Sequence, residues 1–124
     1  MPYRVIQVQY SGGSESAPTA AVKLVKLDGK EVTDATTGNG PVDAVFKAIQ
    51  RALGFKLELV DFTVSASSLG SEASGQVVVC IQKNGQAHEG TGLGTDIIVA
   101  SAEAFVEALN KMEKFEAAVA AHTV

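Results

Sequence analysis

An internal repeat limits what this chain can become more than any other feature. Residues 3–10 read as a strand, and residues 57–64 carry a similar apolar pattern 54 positions later. Residues 20–27 are matched in the same way by residues 76–83, and the two segments end in Asp28-Gly29 and Asn84-Gly85. Such dipeptides accept the positive φ angles of a two-residue type I′ hairpin turn, so third strands are expected at 30–36 and 86–91. Each third strand runs into glycines, Thr37-Gly38-Asn39-Gly40-Pro41 and Thr91-Gly92-Leu93-Gly94-Thr95, and a helix is expected after each. Pro41 suits a first helical position, Val42, Val45, Phe46, Ile49 and Leu53 follow at helical spacing, and Gly54 stops the run. In the second copy Thr95 or Asp96 supplies the cap, and Ile98, Ala102, Phe105, Leu109 and Met112 form the apolar stripe.

The pattern predicts an α+β domain of two βββα units related by a pseudo-twofold, with antiparallel sheets and helices packed on one face. One domain is expected over 1–124, its units at about 3–54 and 55–112, with an Ala-rich helical tail over 113–124 that extends the last helix. Residues 11–16 and 67–75 are small and polar and are expected to be mobile loops. Sheet edges and apolar faces left bare call for cover, which a second copy in a homodimer supplies.

Composition matters here for what it excludes. A net charge of -4 spread along the chain, with no basic run and no Trp, argues against a nucleic-acid partner or an anionic membrane surface. No segment has the length of a membrane span or the form of a signal peptide, so no membrane is expected. The single cysteine, Cys80, lies in an apolar run and reads as a buried thiol in a reducing, cytoplasmic setting.

A search for chemistry assigns no catalytic residue, no metal and no cofactor. His88 and His122 stand far apart, no nucleophile elbow or phosphate loop occurs, and Asp34, Asp61 and Glu89 read as solvated carboxylates. Gly38-Asn39-Gly40 is the more informative element and has two readings. In one the glycines only make the turn from strand to helix. In the other the backbone N–H groups at a helix start hold a carboxylate, with Val42 and Phe62 as apolar neighbours. Residues 57–66 change alternation phase, which points to a bulge near Leu59-Val60 or to a strand buried on both sides.

Taken in order, Gly38-Asn39-Gly40-Pro41-Val42-Asp43-Ala44, Leu59-Val60-Asp61-Phe62, Gly75-Gln76-Val77 and Gly92-Leu93-Gly94-Thr95-Asp96-Ile97-Ile98 resemble the carboxy-terminal regulatory domain of 2-isopropylmalate synthases. The resemblance extends through Ala100-Ser101-Ala102 and Ala108-Leu109-Asn110 and spans residues 3–112. It implies a dimerising domain that binds leucine and lowers the activity of a metal-dependent barrel condensing acetyl-CoA with 2-oxoisovalerate. That barrel has no counterpart in 124 residues. The chain is therefore expected to be no enzyme by itself, but an excised or separately encoded regulatory domain that partners the synthase's catalytic domain.

By the same resemblance, Gly38, Asn39 and Gly40 fall on the effector loop, Val42, Leu59, Phe62 and Ala66 on the effector pocket, and Ala73 and Gly75 near a further pocket segment. Asp61 is the expected partner for the ligand's ammonium. Phe62 stands where many relatives have Tyr, which removes a hydroxyl contact. Citramalate synthases carry a similar domain that senses isoleucine, and residues 95–102 look closer to the leucine-sensing group. The isoleucine version, a small dimeric enzyme using Asp34, Asp61 or His88 as a base, and a ligand-free dimerisation module are the alternatives.

Overall fold

The computed structural model describes residues 2–67 and 74–122. Its elements run β1 (Arg4–Gly13), β2 (Ser16–Val25), β3 (Glu31–Thr37), α1 (Pro41–Leu53), β4 (Glu58–Ser67), β5 (Ser74–Lys83), β6 (Gln86–Gly94) and α2 (Ile97–His122). Two antiparallel sheets result, ordered β1-β2-β3 and β4-β5-β6, each followed by its helix. This is the expected pair of βββα units in an α+β fold.

Alternation on the central strands builds the core. Ala20, Val22 and Leu24 of β2 and Val77, Val79 and Ile81 of β5 are buried, while the residues between them are only partly covered. Helix α1 lies on β2 and β3, and α2 lies on β5 and β6. The halves meet where Phe46 of α1 stacks on Phe105 of α2, with centroids 4.8 Å apart. A second tie is made by Asn110 of α2, which accepts from the Tyr3 N–H at 2.7 Å and donates to the Tyr3 carbonyl at 2.9 Å. Burial, reinforced by Glu113, pushes the Tyr3 phenol up to about 12.

Both helices start for the expected reasons, and α1 also stops for the expected one. Pro41 opens α1, and Gly54 closes it at φ 76 with its N–H on the Gln50 carbonyl. Asp96 caps α2 by accepting the Ile98 and Val99 N–H groups at 2.9 and 3.2 Å. Helix α2 continues through the Ala-rich tail to His122. Neither described helix is long and apolar enough to cross a membrane.

Three local expectations are corrected. Residues 11–16 are mostly strand, since β1 and β2 stay paired out to Gly13 and Ser16 and only residues 14 and 15 form the connection. Glycine and serine weaken a strand but still carry the backbone groups that a ladder uses. In the second linker Ser67 pairs with Ser74, and residues 68–73 lie outside the described residues.

The Asp28-Gly29 turn is not type I′, because Gly29 alone has positive φ. Gly29 donates to the Lys26 carbonyl at 2.9 Å and Lys26 to the Lys30 carbonyl at 2.8 Å, the pattern of a three-residue loop ending in a left-handed glycine. Asn84-Gly85 does form the two-residue turn, with φ 52 and 79 and Lys83 paired to Gln86. The third correction concerns Cys80, which is half-buried on the sheet face away from Val79 and Ile81 rather than in the core.

Candidate functional site

The loop before α1 is set by packing rather than by an unusual backbone. Gly38 and Gly40 are both outside the positive-φ region, and Gly40 is extended at φ -169 and ψ 173. The turn from strand to helix therefore needs no left-handed glycine. Gly38 is required by space: a Cβ there would lie 2.5 Å from the Ala44 nitrogen and 2.7 Å from Asp43 Oδ2, whereas one on Gly40 would meet nothing within 4 Å.

Several of the loop's donors are already engaged. The Gly38 N–H donates to the Pro18 carbonyl at 3.0 Å, and the Asn39 N–H donates to Asp43 Oδ2 at 2.8 Å. That bond, with Lys47 3.0 Å away, holds the Asp43 carboxyl below the usual carboxylate range against the opposing effect of burial. An internal carboxylate thus sits at the helix start where an anion is favoured. No side chain caps Gly40, and its carbonyl accepts the Ala44 N–H at 2.9 Å.

Strand β4 supplies an apolar face. The sheet register places Leu59, Phe62, Val64 and Ala66 opposite Ile81, Val79, Val77 and Gly75, so all four share the face that β5 buries. The expected bulge is present, with Val60 as the extra residue between the Leu59 and Asp61 pairs. An equivalent shift occurs in β1 at Ile6, the repeat counterpart of Val60. Phe62 packs edge-on against Phe46, with centroids 5.9 Å apart and rings at 74°. Val42 lies one helical turn before Phe46 and is also packed against the core. Leu59 and Val64 nevertheless remain 43% and 46% exposed.

The structure therefore brings Phe62 against Phe46 of α1, with Leu59 and Ala66 along the same face of β4, while Val42 packs against the core. Gly75 pairs with both Ala66 and Gly94, and a Cβ on it would collide with the Ile97 side chain at the start of α2. Asp61 is not on that face: it pairs opposite Cys80, and its Oδ1 accepts the Phe62 N–H at 2.9 Å. Ala73 lies outside the described residues. Asp43, Phe46 and Ile97 are the neighbours that sequence reasoning did not single out. Asp43 had a legible signal, an acid in the first turn of a helix whose cap position is glycine.

The candidate bases are not assembled. Asp34, in the first sheet, pairs with Arg51 at 3.2 Å, while Asp61 and Glu89 flank Cys80 on the outer face of the second. His88 is opposite Ile81 and rests against Phe115, with ring centroids 5.4 Å apart.

Comparison with known proteins identifies a family. The sequence profile of the LeuA allosteric (dimerisation) domain matches residues 1–113. The chain is 46% identical over 110 residues to a 2-isopropylmalate synthase of Gloeobacter violaceus, covering 89% of this chain and 20% of that protein. A 2-isopropylmalate synthase of Crocosphaera subtropica is matched with the same identity and coverage. One from a Nostoc species is 46% identical, with 89% of this chain and 21% of that protein covered. The chain thus spans about a fifth of the length of these relatives, and the family match over residues 1–113 takes in all six strands, α1 and most of α2. By that match the chain belongs to the LeuA allosteric (dimerisation) domain family.

Proposed function

We propose that this chain is an amino-acid-sensing and self-associating regulatory domain of 2-isopropylmalate synthase, with leucine as its effector and feedback inhibition as its output. The observation that carries the reading is the half-open apolar face of β4 that meets α1 at Phe46. Leu59, Phe62 and Ala66 line it, Phe46 packs edge-on against Phe62, and a small aliphatic side chain or a second copy would complete its burial. First-turn N–H groups of α1 favour the ligand's carboxylate. Asp43 replaces Asp61 as the acid for the ammonium, because Asp43 stands at the α1 start while Asp61 lies on the other face of β4.

Homodimerisation follows from the same uncovered face and from the exposed apolar bulge residues Ile6 and Val60, at 43% and 49%. Condensation chemistry is assigned to the part of the synthase that this chain does not span, where the catalytic domain is the partner being inhibited. Calorimetric titration with leucine, isoleucine and the matching 2-oxo acids, alongside sedimentation, tests the reading. Saturable binding of leucine, weaker binding of isoleucine, none of the 2-oxo acids and a dimer at micromolar concentration are expected. Tighter binding of isoleucine would favour the citramalate-synthase version, and a dimer indifferent to all these ligands would leave only an association module.

A further inference from the structure

Two Asn-Gly dipeptides occur in the chain, and the fold holds them differently. Asn84-Gly85 is the two-residue turn between β5 and β6, with φ 52 and 79, closed by the Lys83–Gln86 pair and the ladder behind it. Asn39-Gly40 lies in the bend between β3 and α1. Asn39 is exposed, Gly40 is extended, and a Cβ on Gly40 would meet nothing within 4 Å. No backbone acceptor among the described residues takes the Gly40 N–H.

We propose that Asn39 is a site of spontaneous deamidation, while Asn84 is protected by its turn. The Gly40 backbone nitrogen gives its proton to hydroxide and attacks the Asn39 side-chain carbonyl carbon. A new C–N bond forms, the side-chain nitrogen takes a proton from water as its bond to that carbon breaks, ammonia leaves with hydroxide restored, and a five-membered succinimide remains. Water then opens the ring to aspartate or isoaspartate, so the step needs no oxidant or cofactor. Glycine at 40 leaves the attacking nitrogen uncrowded by a side chain, and Asn39 itself is exposed. At Asn84 the same closure requires rotation out of the paired turn, against the hydrogen bonds that define the hairpin.

The product places a second carboxylate beside Asp43, whose Oδ2 already accepts the Asn39 N–H. Two like charges within one turn oppose each other, and isoaspartate also lengthens the main chain where Asn39 reaches Asp43. The consequence for ligand binding rests on the effector reading above, whereas the conversion does not.

The test incubates the chain at mildly alkaline pH, folded and in denaturant, and follows both dipeptides by peptide mass mapping and isoaspartate content. In the folded chain Asn39 is expected to convert severalfold faster than Asn84, and denaturant should bring the two rates together. Gly40→Ala, whose methyl enters open space, should slow conversion at 39 and leave 84 unchanged. Conversion of Asn84 as fast as Asn39 in the folded chain, or an intact Asn39 that converts only in denaturant, overturns the proposal. Leucine titration of aged wild type and equally aged Asn39→Gln separates the two readings. Unchanged binding by the converted chain removes residues 38–40 from the effector site while the modification stands.

Discussion

The two halves share a plan but seat their helices differently. On β6 the inward positions are Gly90 and Gly92, and a Cβ at either would run into the Ala104 or Ala100 carbonyl of α2. Backbone therefore lies against backbone. The register places Asp34 and Thr36 of β3 at the corresponding positions, where they keep their side chains, and Asp34 reaches Arg51 of α1 at 3.2 Å. A helix seated on glycines gains close dispersion contact and has little room to shift, whereas one seated on side chains rests on groups that can change rotamer. The second half is the anchor. The first half carries residues 38–40 ahead of the more loosely seated helix.

Breaking the contact between the halves should have the largest effect. Phe105→Ala removes the ring stacked on Phe46 and should cost about 3–5 kcal/mol in a denaturant titration. Gly92→Val tests the anchor: its side chain meets the α2 backbone, so a loss near 3 kcal/mol is expected. Thr36→Val at the matching position should cost less than about 1 kcal/mol. Equal losses at these two positions would mean that the helices are seated alike. Asn110→Ala removes both bonds that tie Tyr3 to α2 and should cost about 1–2 kcal/mol. Proteolysis near the amino terminus should quicken in that variant if the tie holds β1 to the anchor.

Asp43 sharpens the comparison through pH. Because its folded pKa is depressed, its stabilising effect is present above the unfolded carboxylate value of 3.8 and is lost as pH falls through the folded value. Asp43→Ala should therefore be less stable than wild type at neutral pH, by the roughly 0.5–1 kcal/mol of an ordinary helix cap. The gap should narrow in strongly acidic buffer, and a constant gap across that range would remove the charged cap. Smallest in stability, at about 0.5 kcal/mol or less, is the effect expected of Gly40→Val, whose side chain has open space. Calorimetry should still show weakened leucine binding in that variant, and unchanged affinity would confine Gly40 to a turn. Gly38→Val, by contrast, should destabilise the fold through Asp43 and Ala44.

Much of the local structure was legible because it depends on neighbours in the chain. Pro41, Gly54 and Asp96 mark helix ends through backbone chemistry that acts within one turn. The phase change at Leu59-Val60 revealed its bulge in the same way. The site was legible only in part. Phe62 meets Phe46, and no spacing along the chain reveals that an edge-on ring joins a strand of one half to the helix of the other.

The register of the repeat needed the tertiary structure. At equal spacing residues 20–27 align with 76–83, which sets Ala21 beside Val77, yet Ala21 is only partly covered and Val77 is buried. The fold instead matches Ala20, Val22 and Leu24 with Val77, Val79 and Ile81, because the first hairpin uses a three-residue loop and the second a two-residue turn. A slip of one residue turns every side chain to the other face, so turn type decides which residues form the core. The sequence by itself determined the repeated order of strands and helices, since turn chemistry, capping and alternation act locally. Only the tertiary structure decided which glycines are required by space, which face of β4 stays open and which acid lies at the loop before α1. Those outcomes depend on contacts between segments that the chain brings together only when both halves are packed.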